Sequence, residues 1–315
     1  MEIVSASPLD MPGMIDLLRR SLGESLMPKS EGFFNWKHNE NPFGRSMVLL
    51  AKEDGEIVGL RAFMRWEWIR NGKRITAVRA VDTATDPAHQ GKGIFKKLTM
   101  QAVADCKAEG ISLVFNSPNT SSRPGYLKMG WKDAGRMPLL FKPGSLLPAR
   151  YSEERISKFI SHYNINTAAT ELQNEYSFPG SDNFYHTPLS HDYIKWRYAD
   201  CPVVKYGGIA VAGKFGIIFR LKNLKGFCEL RICEMWAVNK EGEKELKKNL
   251  KDLARKFRPV MISCAPTPLI STKAGFYGPF RKGPITTIRE LSLTDLHHFE
   301  NFQSWRPSIG SLELF

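Results

Sequence analysis

The 315-residue sequence has no apolar run approaching the 18 or so residues that a membrane-spanning helix needs. Its opening, MEIVSASPLDMPGM, lacks a basic start followed by an apolar core. A cytoplasmic protein with no membrane partner is the expectation. Cysteine is scarce and scattered: Cys106, Cys201, Cys228, Cys233 and Cys264 are odd in number and never form a CxxC pair, which excludes the usual disulfide and zinc frameworks. His297 and His298 neighbour Asp295 but have no further ligands in range, so no metal is expected. Both established phosphate motifs are missing, because GxGxxG fails at Lys96 and no GxxxxGK precedes a Ser or Thr. A basic tail is missing too. The net charge of +13 is spread evenly, with 22 basic against 15 acidic residues in 1–150 and 23 against 17 in 151–315. An even excess suits a small anionic ligand, and nucleic acid is not the expected partner.

With 42% hydrophobic and 24% charged residues, the chain has ordinary globular composition and the length of two domains. A strand near Glu2–Ala6 leads to a helix with Asp10 as N-cap, Pro12 in its first turn and Gly23 past its end. A second helix carries FFNWKHNENP. Three β-rich runs at 47–53, 56–69 and 74–86 follow, joined by the turn signals Asp54-Gly55 and Asn71-Gly72, and predict an antiparallel meander. From Lys92 apolar residues recur at helical spacing until Gly110, followed by a strand at 111–115, a short helix around 122–129 and a strand from Trp131. The unit ends near Phe141, and KPGSLLPAR reads as a linker.

The second half repeats the first. FNWKHNENP (34–42) aligns without a gap on IKWRYADCP (194–202), pairing Trp36 with Trp196 and Lys37 with Arg197. FNSPNTSS (115–122) aligns on SCAPTPLI (263–270). The same order of elements in both halves points to duplication. Where the first half has HQGKGIFKK, the second has VNKEGEKEL, with carboxylates at Glu241, Glu243 and Glu245 that would repel phosphate. If one half does chemistry, it is the first.

Gly91 and Gly93 stand at the start of the lysine-bearing helix, where glycine costs on the order of 1 kcal/mol relative to alanine. A helix N-terminus leaves amide N–H groups without partners and carries a partial positive charge. Glycines there let an anion reach the bare backbone, with Lys92, Lys96 and Lys97 adding charge nearby. The plainer alternative makes Gly91 a turn residue and the lysines a solvated face.

The run Gln90, Gly91, Lys92, Gly93, Ile94, Phe95, after a strand ending VDTATDP, resembles the coenzyme A cradle of the GNAT superfamily of N-acetyltransferases. It departs at Phe95, where the family has Gly or Ala. A second signature agrees: Asn119, Tyr126, Gly130 and Trp131 stand at the family's spacings in NTSSRPGYLKMGW. The resemblance covers residues 1–142, and the degenerate second half is similar to tandem members of the superfamily, including long forms that occur with polysaccharide genes. It implies an α/β fold of two tandem GNAT-like domains, each a twisted, mostly antiparallel sheet flanked by helices. Residues 1–142 would be catalytic, 143–151 the linker and 152–315 the degenerate copy.

The resemblance further implies acetyl-CoA as co-substrate and transfer of an acetyl group to a small-molecule amine, an amino sugar or polysaccharide precursor among the options. Backbone amides from Gly91 to Lys96 would hold the pyrophosphate and Thr83, Ala84 and Thr85 would pair with the pantetheine arm. Asn119 completes the cofactor set, and Tyr126 would give a proton to the departing sulfur. Tyr126 as a core tyrosine is the competing assignment. For the base, Asp82 is the first candidate. Glu67, His89 and a terminal carboxylate on Phe315 are the others. Trp36, Trp66, Trp68 and Trp131 either line an acceptor pocket or belong to the core. Two further functions stay open: an aminoacyl transferase using charged transfer RNA, and a nonenzymatic acyl-CoA sensor.

Overall fold

The computed structural model describes residues 1–23, 27–170, 172, 176, 183–270, 274–292 and 299–312. The first half runs β1 (Glu2–Ser5), α1 (Met11–Leu22), α2 (Glu31–His38), β2 (Met47–Glu53), β3 (Glu56–Arg70), β4 (Lys73–Thr85), α3 (Ile94–Ala108), β5 (Leu113–Asn116), α4 (Arg123–Lys128), β6 (Lys132–Arg136) and β7 (Leu139–Pro143). The second runs α5 (Glu153–Ile160), α6 (Ile165–Thr170), α7 (His191–Ile194), β8 (Gly207–Val211), β9 (Phe215–Leu224), β10 (Phe227–Ala237), α8 (Lys240–Phe257), β11 (Met261–Cys264), β12 (Tyr277–Phe280), β13 (Ile285–Glu290) and α9 (Ile309–Leu312). No described helix is long and apolar enough to cross a membrane. His297, His298 and Asp295 lie outside the described residues.

The strands form two mixed sheets, ordered β1-β2-β3-β4-β5-β13-β6 and β12-β7-β11-β10-β9-β8. Pairing is antiparallel except at β4–β5 and β10–β11, the two inner parallel contacts. Period-2 alternation on β3 places Leu60 and Ala62 against α1 and α2, while Phe63 turns to α3. Helices therefore cover both faces of the first sheet, as an α/β fold requires. Strand β7, on the first side of the expected boundary, sits in the second sheet, and β13 crosses back into the first. The division at 142 is thus not a division of the sheets. Pairing partners this far apart leave no local signal.

The aligned tryptophans meet. Trp36 Nε1 donates to Trp196 O and Trp196 Nε1 to Trp36 O, both at 2.7 Å. Their rings stack at 5.3 Å, and both are buried in the core between the sheets. A contact in which each partner gives what it receives has the form of a two-fold relation. Trp66 and Trp68 are also core, and Trp131 packs beside Tyr126 under α3.

Candidate active site

The two inner parallel contacts are short. β4 pairs with β5 only over Ala77–Arg79, and from Ala80 to Thr85 its edge on that side has no strand partner among the described residues. β4 is also bulged at Asp82, whose φ is +27°. A bulge adds one unpaired residue and re-aims its neighbours, which is why the parity of Asp82 is not readable from alternation.

Past β4 the chain turns into the glycine stretch. Gly91 and Gly93 have φ of +80° and +74°, left-handed backbone that costs other residues, and a side chain at either would meet nothing within 4 Å. The helix they introduce starts at Ile94, two residues later than expected, because Gly93 is its left-handed N-cap. No side chain caps α3, there is no carboxylate in its first turn, and the first amide to bond back is Lys97 N–H to Gly93 O. The amides of Ile94, Phe95 and Lys96 precede that bond and face an open loop. Lys96 and Lys97 are exposed, and Lys92 Nζ stands 3.7 Å from Glu53.

The corresponding helix of the second half is closed. Asn239 caps α8 by accepting from Gly242 N–H at 2.8 Å, and the Lys214 carbonyl lies 2.1 Å from where a side chain on Gly242 would begin. Lys214 Nζ bonds Glu241 and Glu245 at 2.8 and 2.9 Å.

On α4, Tyr126 is 3% exposed and meets Phe95 edge-on at 5.5 Å between centroids. Phe95 also contacts Gly125, so the residue that departs from the family pattern closes against α4 rather than over the glycines. The sequence reading missed Arg61. This β3 residue is fully buried, and its Nη2 donates to Tyr126 Oη at 2.7 Å. Its guanidinium lies over the rings of Phe63, Tyr126 and Phe95. Its Nε and Nη1 are enclosed and make no hydrogen bond among the described residues, and no carboxylate pairs with it there. A buried cation with two idle donors is costly unless something else satisfies them. A signal was available: Arg61 is the single charge in IVGLRAFM.

Asn119 is exposed, and its Oδ1 accepts from Ser122 N–H (2.8 Å) and Oγ (2.9 Å), organising the turn into α4. Asp82 lies on the other face. It bonds Lys37 Nζ and His38 Nε2, both at 2.8 Å, while His38 Nδ1 bonds Ser46. Burial would push the Asp82 carboxyl up, but the Lys37 ammonium and the His38 hydrogen bond outweigh it and hold it below its ordinary range. Burial likewise drives His38 down. A carboxylate held ionised by two partners accepts protons poorly, so these contacts argue for Asp82 as an anchor of α2 on the bulge rather than a base. Glu67 pairs with Arg74 on the hairpin. It stands opposite Thr76, six residues short of the bulge and roughly 20 Å along the strand. His89 stands beside the loop, 3.0 Å from Glu53.

Residues 2–134 match the family described as an acetyltransferase (GNAT) domain. The protein carries a GNAT acetyltransferase domain. That domain's family is one of acyltransferases. No curated protein is similar in sequence. The fold of the whole chain is similar to three solved structures. A probable N-acyltransferase of Enterococcus faecalis has a TM-score of 0.66 at 11% identity, over 92% of this chain and 72% of that one. A GCN5-related N-acetyltransferase of Anabaena variabilis has 0.63 at 12%, over 92% and 73%. Eis1 of Mycobacterium abscessus has 0.59 at 15%, over 93% and 74%. The GNAT domain's β3, β4, α3 and α4 thus bring the glycine loop, Phe95, Tyr126 and Arg61 to one face, with Asp82 on the other.

Proposed function

We propose that this acyltransferase uses acetyl-CoA and moves the acetyl group to the amine of a small molecule. The contrast between the two helix entrances carries the reading: α3 is glycine-lined, uncapped and open, and α8 is capped and acidic. The residues fit the co-substrate. Amides from Gly91 to Lys96 would hold its diphosphate. The free edge at Thr83, Ala84 and Thr85 would take the extended arm as an added strand.

Acyl transfer forms a C–N bond as the C–S bond breaks, the amine losing a proton and the sulfur gaining one. In this reading Tyr126 gives the sulfur its proton. Arg61 donates to the phenol oxygen, which leaves the phenolic hydrogen directed elsewhere and stabilises the oxygen once that hydrogen departs. Asp82 and His38 keep α2 seated on the bulge.

Calorimetry with acetyl-CoA tests the cradle: the wild type binds, and Gly93→Glu, which puts a carboxylate at the helix entrance, loses about tenfold or more. Free-thiol release over amino sugars, polyamines and amino acids tests the transfer, and Tyr126→Phe slows it by about two decades or more, roughly the worth of a general acid. No acetyl-CoA binding refutes the proposal, and binding without turnover on any amine makes the protein a sensor.

A further inference from the structure

On the side of the first sheet away from α3 and α4, the two sheets enclose a cavity of about 650 Å3. Its walls come from the end of β6, from β10 beyond its bulge at Cys233, from the turn after β11, and from the stretches around 186 and 306. The volume falls within the range of small-molecule sites. Much of the lining is apolar, with Leu189, Pro266, Phe302 and Pro307 among it.

Among the described residues Glu234 is the one carboxylate lining it, and is 5% exposed. Its Oε1 accepts from Ser308 Oγ (2.5 Å), Tyr198 Oη (2.7 Å) and Tyr193 Oη (3.3 Å). Burial and the adjacent carboxyl hold both phenols well above their ordinary value, so both are donors. Oε2 makes no hydrogen bond among the described residues, and Glu234 lines the open volume. The buried Arg197 guanidinium nearby is bonded to Gly310 O (3.0 Å) and Tyr206 Oη (3.2 Å). A buried carboxylate with one saturated and one open oxygen is best completed by a donor that also brings positive charge.

We propose that this cavity binds a small monoamine, with the ammonium on Glu234 Oε2 and an apolar body against Phe302 and Pro266. Arg136, Arg281 and Arg306 also line the cavity, so Glu234 is the group that would hold the one positive charge, and a second on the ligand is disfavoured. The site is separate from the α3 cradle and does not depend on the acyl-transfer reading.

Calorimetry on the full chain at about pH 8, where Glu234 has given up its proton, with tryptamine, its alcohol analogue tryptophol, and indole-3-propionate tests the proposal. Tryptamine binds about tenfold or more tighter than tryptophol, the worth of a charge-assisted bond. The advantage disappears in Glu234→Gln, which keeps an acceptor for the three hydroxyls and leaves acetyl-CoA affinity unchanged. Equal affinity for amine and alcohol, preference for the propionate, no binding at millimolar concentration, or a preference that survives Glu234→Gln each overturns it. Should Glu234→Gln fail to fold, the ranking of the three probes on the wild type still decides. A wild type that ignores acetyl-CoA yet prefers tryptamine sinks the acyl-transfer reading and leaves this one standing.

Discussion

Replacing Glu234 with Gln should change how stability depends on pH. Burial pushes the Glu234 carboxyl up from the ordinary 4.5 to about 7, against the hydrogen bonds from Ser308, Tyr198 and Tyr193 and the pull of Arg197. The folded state then holds a proton that the unfolded chain has released. Stability from this group is therefore complete below pH 4.5 and is lost as pH rises through 7. At about 1.36 kcal/mol per pH unit the ceiling is about 3.4 kcal/mol, and a window from about pH 5 to pH 8 captures roughly 2.5 kcal/mol. For a chain of this length that is a midpoint difference of about 4 °C. His38 works in the opposite sense: its folded value is lowered, so stability rises with pH through about 6.5. Both chains share that contribution, and only the difference between them isolates Glu234. Thermal midpoints of wild type and Glu234→Gln across this window make the measurement. The variant should gain relative to wild type as pH rises, and parallel curves would refute the burial of this carboxyl.

Arg61→Met keeps much of the side-chain volume and removes a buried cation with no carboxylate partner. Thermal stability should hold or rise, while thiol release falls about tenfold at little cost in acetyl-CoA affinity; a large loss of stability with unchanged turnover would make Arg61 purely structural. Gly59→Ala places a methyl 2.5 Å from Ile94 Cγ2 and 3.0 Å from Leu98 Cδ1. It should push the first turn of α3 off β3, costing about 1–3 kcal/mol of stability and weakening acetyl-CoA binding, both measurable on one preparation by melting and calorimetry.

The form of the glycine loop was legible because its signals are local. Two glycines ahead of a helical pattern, and an Asn and Tyr at fixed spacing, are features of one short stretch each. The role of Asp82 was not, since it turns on a bulge that alternation cannot reveal. Arg61 and Glu234 were visible as single charges inside apolar runs, in GLRAF and ICEMW, but only the fold shows that one lacks a carboxylate partner among the described residues and the other fronts a cavity. The placement of β7 and β13 had no signal at all, because strand pairing is settled by tertiary packing.

That crossing of strands has a consequence for how the protein is made. β5 and β6 flank β13 and do not touch each other in the sheet, so a nascent chain that has produced the whole GNAT segment still carries an unfilled slot between them. The slot stays open until Ile285–Glu290 is synthesised, and two facing strand edges wait in the meantime for any chain that offers itself. Cutting the polypeptide at the linker would leave each piece with a gap shaped for a strand of the other.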